Sequence, residues 1–124
     1  MSGRVLSDPK PPNRVRDLEL LATLHVRWRG TCVLDELGDC VSRYSLHHIH
    51  RHPRDDVQAN LVMLCGDGTT GHHGLITAED ETARTTLGLY LVTQRLDTMT
   101  YLTEKLGSDE AARQWLRSSL LAPV

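Results

Sequence analysis

Apolar residues recur at helical spacing near both ends of the 124-residue chain and in a strand-like pattern in its middle. Near the N-terminus the periodicity predicts one helix, from about Val15 to Trp28. In the second half it predicts a helix from Ala78 to about Leu87, with Gly88 as its stop. Two more helices are expected after Asp97, with Gly107 between them.

The middle of the chain predicts two short strands followed by a helix. Alternating side chains from Ser42 to Ile49 indicate the first strand, and the apolar run from Leu61 to Leu64 indicates the second. A glycine-rich turn follows, and the next helix should begin near Thr70 or Gly71. We therefore expect an α+β fold, in which this hairpin packs between an N-terminal helix and C-terminal helices.

The chain length fits one domain with a moderate core. Prolines among polar residues predict a flexible N-terminal arm over residues 1–13. The hairpin lies in a core of residues 14–88, and residues 89–124 form a C-terminal helical extension. We expect this extension to dock on the core or on a partner.

The net charge of −2 does not by itself predict a nucleic-acid binder, but the charges are unevenly distributed. Basic residues dominate the first 29 positions, and acidic residues outnumber basic ones from Thr77 onward. This asymmetry favours a protein that meets phosphates with one face, although ordinary surface scatter is the alternative. With no signal-peptide pattern and no apolar run long enough for a bilayer, we expect a cytoplasmic protein without a membrane partner.

Three cysteines suit a metal site better than a disulfide framework, because their number is odd. Cys32, Cys40 and Cys65 need a fourth ligand for tetrahedral zinc, and His72 is available across the glycine-rich turn. We therefore predict one structural zinc ion held by these four residues. The alternative is three buried free thiols with the histidine on the surface.

Two histidine pairs, His47-His48 and His72-His73, flank a lone asparagine, Asn60, which opens the second strand. This His–Asn–His order, with the Leu-Cys-Gly-Asp-Gly-Thr-Thr-Gly stretch from Leu64, resembles the HNH family of metal-dependent nucleases. The resemblance covers about a third of the chain, roughly from Cys32 to Ile76. It implies a ββα-metal (His-Me finger) hairpin that holds one catalytic divalent ion, namely Mg, Mn, Ni or Co.

The resemblance also implies roles for individual residues. His48 would be the general base, and Asn60 would hold the loop that positions it. His47 and His73 would bind the catalytic ion, and Thr77 stands where many family members carry a further histidine. Two loop arginines are candidates for binding DNA phosphate: Arg51 and Arg54.

The function implied by the resemblance is a divalent-metal-dependent DNA endonuclease or nickase, related to a phage or mobile element. Its partner would be DNA, with a phage terminase or another packaging or recombination protein as a further candidate. If a phage encodes it, the compartment would be the host cell cytoplasm. One alternative is a zinc-stabilised, non-catalytic DNA-binding module, and another is a protein-interaction domain that uses the helices after Asp97.

Overall fold

The computed structural model describes residues 17–51 and 54–121. The predicted arm of residues 1–13 lies outside the described residues. The first described element is α1, Leu18–Arg27, and the Asp17 side chain caps it by accepting from the Leu20 N–H at 3.0 Å. Leu24 is the fully buried residue of this helix and anchors it to the rest of the fold.

Two antiparallel strands follow, β1 from Tyr44–His48 and β2 from Leu61–Cys65. The register pairs Tyr44 with Cys65 and His48 with Leu61. All of β2 is buried, whereas β1 is half-buried along its length. A continuous apolar run is the pattern of a strand covered on both faces, which explains the sequence of β2.

A tight turn leads from β2 into α2, Gly71–Thr77. Gly66 and Gly71 both have positive φ, at +86° and +62°. A Cβ at Gly66 would lie 2.0 Å from the Thr70 carbonyl oxygen, and one at Gly71 would lie 2.5 Å from that of Cys65. Only glycine fits at these two positions, so the turn returns α2 directly against the end of β2.

Three further helices complete the described chain, with a π-helical turn at Arg117–Leu121: α3 Glu81–Gln94, α4 Leu96–Leu106 and α5 Asp109–Leu116. Gly107 ends α4 in the left-handed conformation, as the sequence predicts, and the Ser108 side chain caps α5 by accepting from the Ala111 N–H.

Two predicted helix boundaries are wrong. Gly88 does not stop a helix, because α3 continues through it to Gln94. Its neighbours Leu87 and Leu91 are fully buried, and this packing outweighs the roughly 1 kcal/mol that glycine costs inside a helix. The helix also begins at Glu81 rather than at Ala78, because the Asp80 carboxylate caps it there by accepting from the Ala83 N–H.

One hydrophobic cluster joins the hairpin to the C-terminal helices. It includes the buried residues Cys32, Val62, Leu64, Leu87, Leu91, Leu102 and Leu116. The predicted boundary between the core (residues 14–88) and the C-terminal extension (residues 89–124) falls inside α3. Residues of the extension pack on the hairpin. The predicted α+β class is confirmed as helices combined with a two-stranded antiparallel sheet.

Across the residues that the structure describes, every helix is too short or too polar to cross a bilayer.

Candidate metal centres

Three cysteines and one histidine converge beside the end of β2. The Val33 N–H donates to the Met63 carbonyl, so the loop after α1 runs along β2 and brings Cys32 to Cys65. Positive φ values at Gly38 and Asp39 turn the chain so that Cys40 comes back to the same point. The turn after β2 supplies His72 from the first turn of α2. The ligand atoms of these four residues all lie within 4.8 Å of one another.

The distances within the cluster fit a tetrahedral metal site. His72 Nδ1 lies 3.4, 3.5 and 3.3 Å from the Sγ atoms of Cys32, Cys40 and Cys65. A tetrahedral zinc with Zn–S near 2.3 Å and Zn–N near 2.0 Å places nitrogen and sulfur about 3.5 Å apart. The three nearly equal distances show that the imidazole faces the centre of the sulfur triangle.

The charges of the cluster also favour a cation. Burial raises the pKa of the Cys32 thiol, and burial together with the adjacent sulfurs raises that of Cys40 to about 12. Burial acts in the same direction on Cys65, but backbone N–H groups, above all that of His72, outweigh it and lower its pKa. Three thiolates so close together repel one another, and a bound divalent cation offsets that repulsion. The predicted grouping is confirmed, and its donors fit zinc.

Two further histidine rings, those of His47 and His73, form a second group, which adjoins the cluster because His73 follows His72 in the chain. The rings of His47 and His73 have centroids 5.2 Å apart and meet edge to face. Two imidazoles on one ion, with metal–nitrogen distances of about 2.1 Å, have centroids roughly 5 Å apart. Burial, then the charges of His73 and Arg51, lower the pKa of His47 to about 3, and burial lowers that of His73. Both rings are therefore neutral near pH 7, as metal ligands must be.

The position of His73 is fixed by Ser45 on β1. Ser45 Oγ lies 2.6 Å from His73 Nδ1 and 2.7 Å from the Gly66 carbonyl oxygen. Ser45 and His47 are two residues apart on one strand, so both side chains stand on the face that α2 covers.

His48 projects from the opposite face of β1 and contacts a carboxylate. Its Nε2 lies 2.7 Å from Oδ1 of Asp56, whose side chain is only 4% exposed. The other oxygen of Asp56 accepts from the Asp17 N–H at 2.7 Å, which ties the start of α1 to the same carboxylate. Sequence reasoning missed Asp56, because an acid in a polar loop has no spacing that marks it.

Asn60 closes the loop that joins the strands. Its Oδ1 accepts from the His50 N–H at 2.8 Å, and its Nδ2 donates to the carbonyls of His50 and Asp55 at 2.9 and 3.0 Å. The side chain is fully buried. These hydrogen bonds hold both ends of the loop after His48.

Both loop arginines lie close enough to His47 for their charges to lower its pKa, and Arg51 also acts on His73. Arg51 is exposed and Arg54 is half-buried. Within the described part of the chain, the Nε of Arg54 is a buried atom without a hydrogen-bond partner. Both arginines therefore place positive charge near His47, and Arg51 also places it near His73.

A cavity of about 410 Å³ opens beside His47. Its walls come from β1, the end of α2, α3 and α5, and they include Glu79, Arg84, Trp115 and Ser118. The Arg84 guanidinium donates to the Ser119 carbonyl at 2.7 Å, which holds this cation at the wall. The C-terminal helices therefore contribute directly to the surroundings of the histidine pair.

The structure thus places the predicted site residues in two neighbouring groups, which adjoin because His72 and His73 are consecutive. Comparison with protein-family models, with curated proteins and with solved structures finds no match for this chain.

Proposed function

We propose that this chain is a divalent-metal-dependent DNA endonuclease or nickase of the HNH type. The observation that carries the proposal is the facing pair His47 and His73, at a separation suited to one ion. A third histidine, His48, follows His47 on β1, is held by a carboxylate, and lies close enough for its charge to lower the pKa of both His47 and His73. A β–β–α unit supplies all three.

Each residue has a defined task in phosphodiester hydrolysis. His48 takes the proton from the attacking water at Nδ1, since its Nε2 faces Asp56. Asn60 keeps the loop after His48 in place through its three backbone bonds. His47 and His73 would hold the divalent ion, which would supply charge relief for the attacked phosphate and the leaving oxygen.

The loop arginines and the cavity supply the DNA-binding surface. Arg51 and Arg54 bring positive charge to the histidine pair, where the scissile phosphate must lie. Arg84 and Trp115 line the adjoining cavity and offer a cation for phosphate and an indole for stacking on a base. The Cys₃His cluster serves a structural zinc that fixes the hairpin and α2, so that His73 stays opposite His47.

A cleavage assay on supercoiled plasmid tests the proposal, with Mg²⁺, Mn²⁺, Ni²⁺ and Co²⁺ each added to zinc-loaded protein. Wild-type protein should nick or linearise the plasmid, and His48→Ala should do so about 10²–10⁴-fold more slowly while its DNA affinity is kept. Wild-type protein that binds DNA but cuts it with none of these ions would refute the nuclease. The zinc-stabilised, non-catalytic DNA-binding module would then be the better description.

A further inference from the structure

The Ser45 hydroxyl contacts two groups, and their chemistry determines to which of them it donates its one hydrogen bond. The Gly66 carbonyl oxygen, at 2.7 Å, can only accept a hydrogen bond. The Ser45 hydroxyl must therefore donate to it. Its oxygen is left to act as an acceptor toward His73 Nδ1, at 2.6 Å.

This assignment determines the tautomer of His73. If the Ser45 oxygen accepts, Nδ1 of the neutral imidazole carries the proton and Nε2 carries the lone pair. Nε2 is then the atom that can bind an ion shared with His47. The opposite tautomer would set two lone pairs against each other across 2.6 Å.

We propose that Ser45 is a positioning residue that fixes His73 in its Nδ1–H tautomer and thereby presents Nε2 to the divalent ion. The ion's presence rests on the proposed function, whereas the tautomer rests on the hydrogen bonds alone. Groups that orient a ligating imidazole in this way are worth about 10–100-fold in metal affinity.

The same hydrogen bonds connect the two metal centres. Gly66 directly follows Cys65 and opens the tight turn toward His72, in which a Cβ at Gly66 would clash with Thr70 and Gly71. The carbonyl that accepts the Ser45 hydrogen bond therefore belongs to the turn that joins Cys65 to His72. The Gly66 carbonyl, the Ser45 hydroxyl and the His73 imidazole thus form a continuous chain of contacts that begins next to Cys65.

Two measurements on zinc-loaded protein test the proposal: the affinity for Ni²⁺ or Mn²⁺ by calorimetry, and the His73 tautomer from ¹⁵N spectra of the imidazole nitrogens. Ser45→Ala should weaken ion binding by about 10–100-fold and release His73 from the Nδ1–H form. Ser45→Thr keeps the hydroxyl and should retain both properties. Ser42→Ala, at an exposed position outside the strand, is the matched control and should change neither.

The outcomes separate this inference from the proposed function. Equal ion affinity in Ser45→Ala and wild type, or an Nε2–H His73 in wild type, would overturn the role of Ser45. A merely structural role would lower the melting temperature of Ser45→Ala without altering the tautomer. Wild-type protein that shows the expected affinity and tautomer but never cuts DNA would leave Ser45 its role and refute the nuclease.

Discussion

Nε2 of His48 and Oδ1 of Asp56 lie 2.7 Å apart in a half-buried contact between the first strand and the loop that follows it. The carboxylate can only accept from a neutral imidazole, so His48 must carry its proton on Nε2 and leave Nδ1 free. The Asp17 N–H holds the carboxylate from the other side. An imidazole that a carboxylate orients in this way can act as a general base.

Asp56→Asn should therefore abolish most cleavage while it leaves the fold intact. The asparagine can still accept from Asp17, but its NH₂ group then donates to His48 Nε2 and moves the imidazole proton to Nδ1. We expect kcat to fall by about 10²–10⁴-fold with little change in KM. Asp109→Asn, at an exposed acid on α5, is the control. Wild-type kcat in Asp56→Asn would show that this carboxylate only ties the loop to α1.

Zinc binding is tested most sharply at Cys40, because this cysteine is exposed. As a free surface thiol it would tolerate serine at almost no cost. As a zinc ligand, its replacement should release the ion and destabilise the fold by more than about 3 kcal/mol, since metal-binding energy is folding energy here. Metal analysis and thermal unfolding of Cys40→Ser measure both effects. Stoichiometric zinc in the variant, or none in wild type, would contradict the site.

The consecutive histidines of α2 should give opposite results, because they face different centres. His72→Ala removes a ligand at 3.3–3.5 Å from three sulfurs and should lose zinc and stability. His73→Ala should keep zinc and its melting temperature, but lose Ni²⁺ or Mn²⁺ binding together with cleavage. Metal analysis combined with calorimetry on both variants checks this. Loss of zinc in both variants would mean that the two centres are not independent.

The sequence was most informative where chemistry restricts the residue type. Few side chains bind zinc, so Cys32, Cys40, Cys65 and His72 could be grouped before their positions were known. Ser45 and Asp56 could not be found in this way. A small polar residue on a strand, or an acid in a loop, has a role only through the partner that the fold brings to it.

The predicted end of a helix at Gly88 was wrong for a related reason. Gly88 is a helix breaker by propensity, yet α3 passes through it because Leu87 and Leu91 need to be buried on either side. The energy of that burial comes from residues distant in sequence, including Leu102 and Leu116. Local pattern alone does not contain this information.

The helices after Arg95 should prove necessary for folding. Thr98 of α4 donates to the Ala59 carbonyl at 2.7 Å, so α4 holds the end of the loop that joins the two strands. A chain that ends after Arg95 also exposes the buried side of α3. We expect this truncated protein to be unfolded or aggregated, as judged by circular dichroism and zinc content. A folded, zinc-containing fragment would show instead that these helices are a separable accessory unit.

Arg84 tests whether the cavity beside His47 belongs to the DNA-binding surface. Its guanidinium lines that cavity and is held by the Ser119 carbonyl at 2.7 Å. If it contacts a phosphate, Arg84→Gln should weaken DNA binding regardless of sequence and reduce the slope of log K against log salt by about 0.9. Arg84→Lys keeps the charge and should retain most of that slope.

Arg113→Gln is the matched control, because Arg113 is exposed on α5 and pairs with Asp109. Thermal unfolding of each variant separates lost packing from lost phosphate contact. Unchanged affinity and slope in a stably folded Arg84→Gln protein would place the DNA elsewhere, on the side of Arg51 and Arg54 alone.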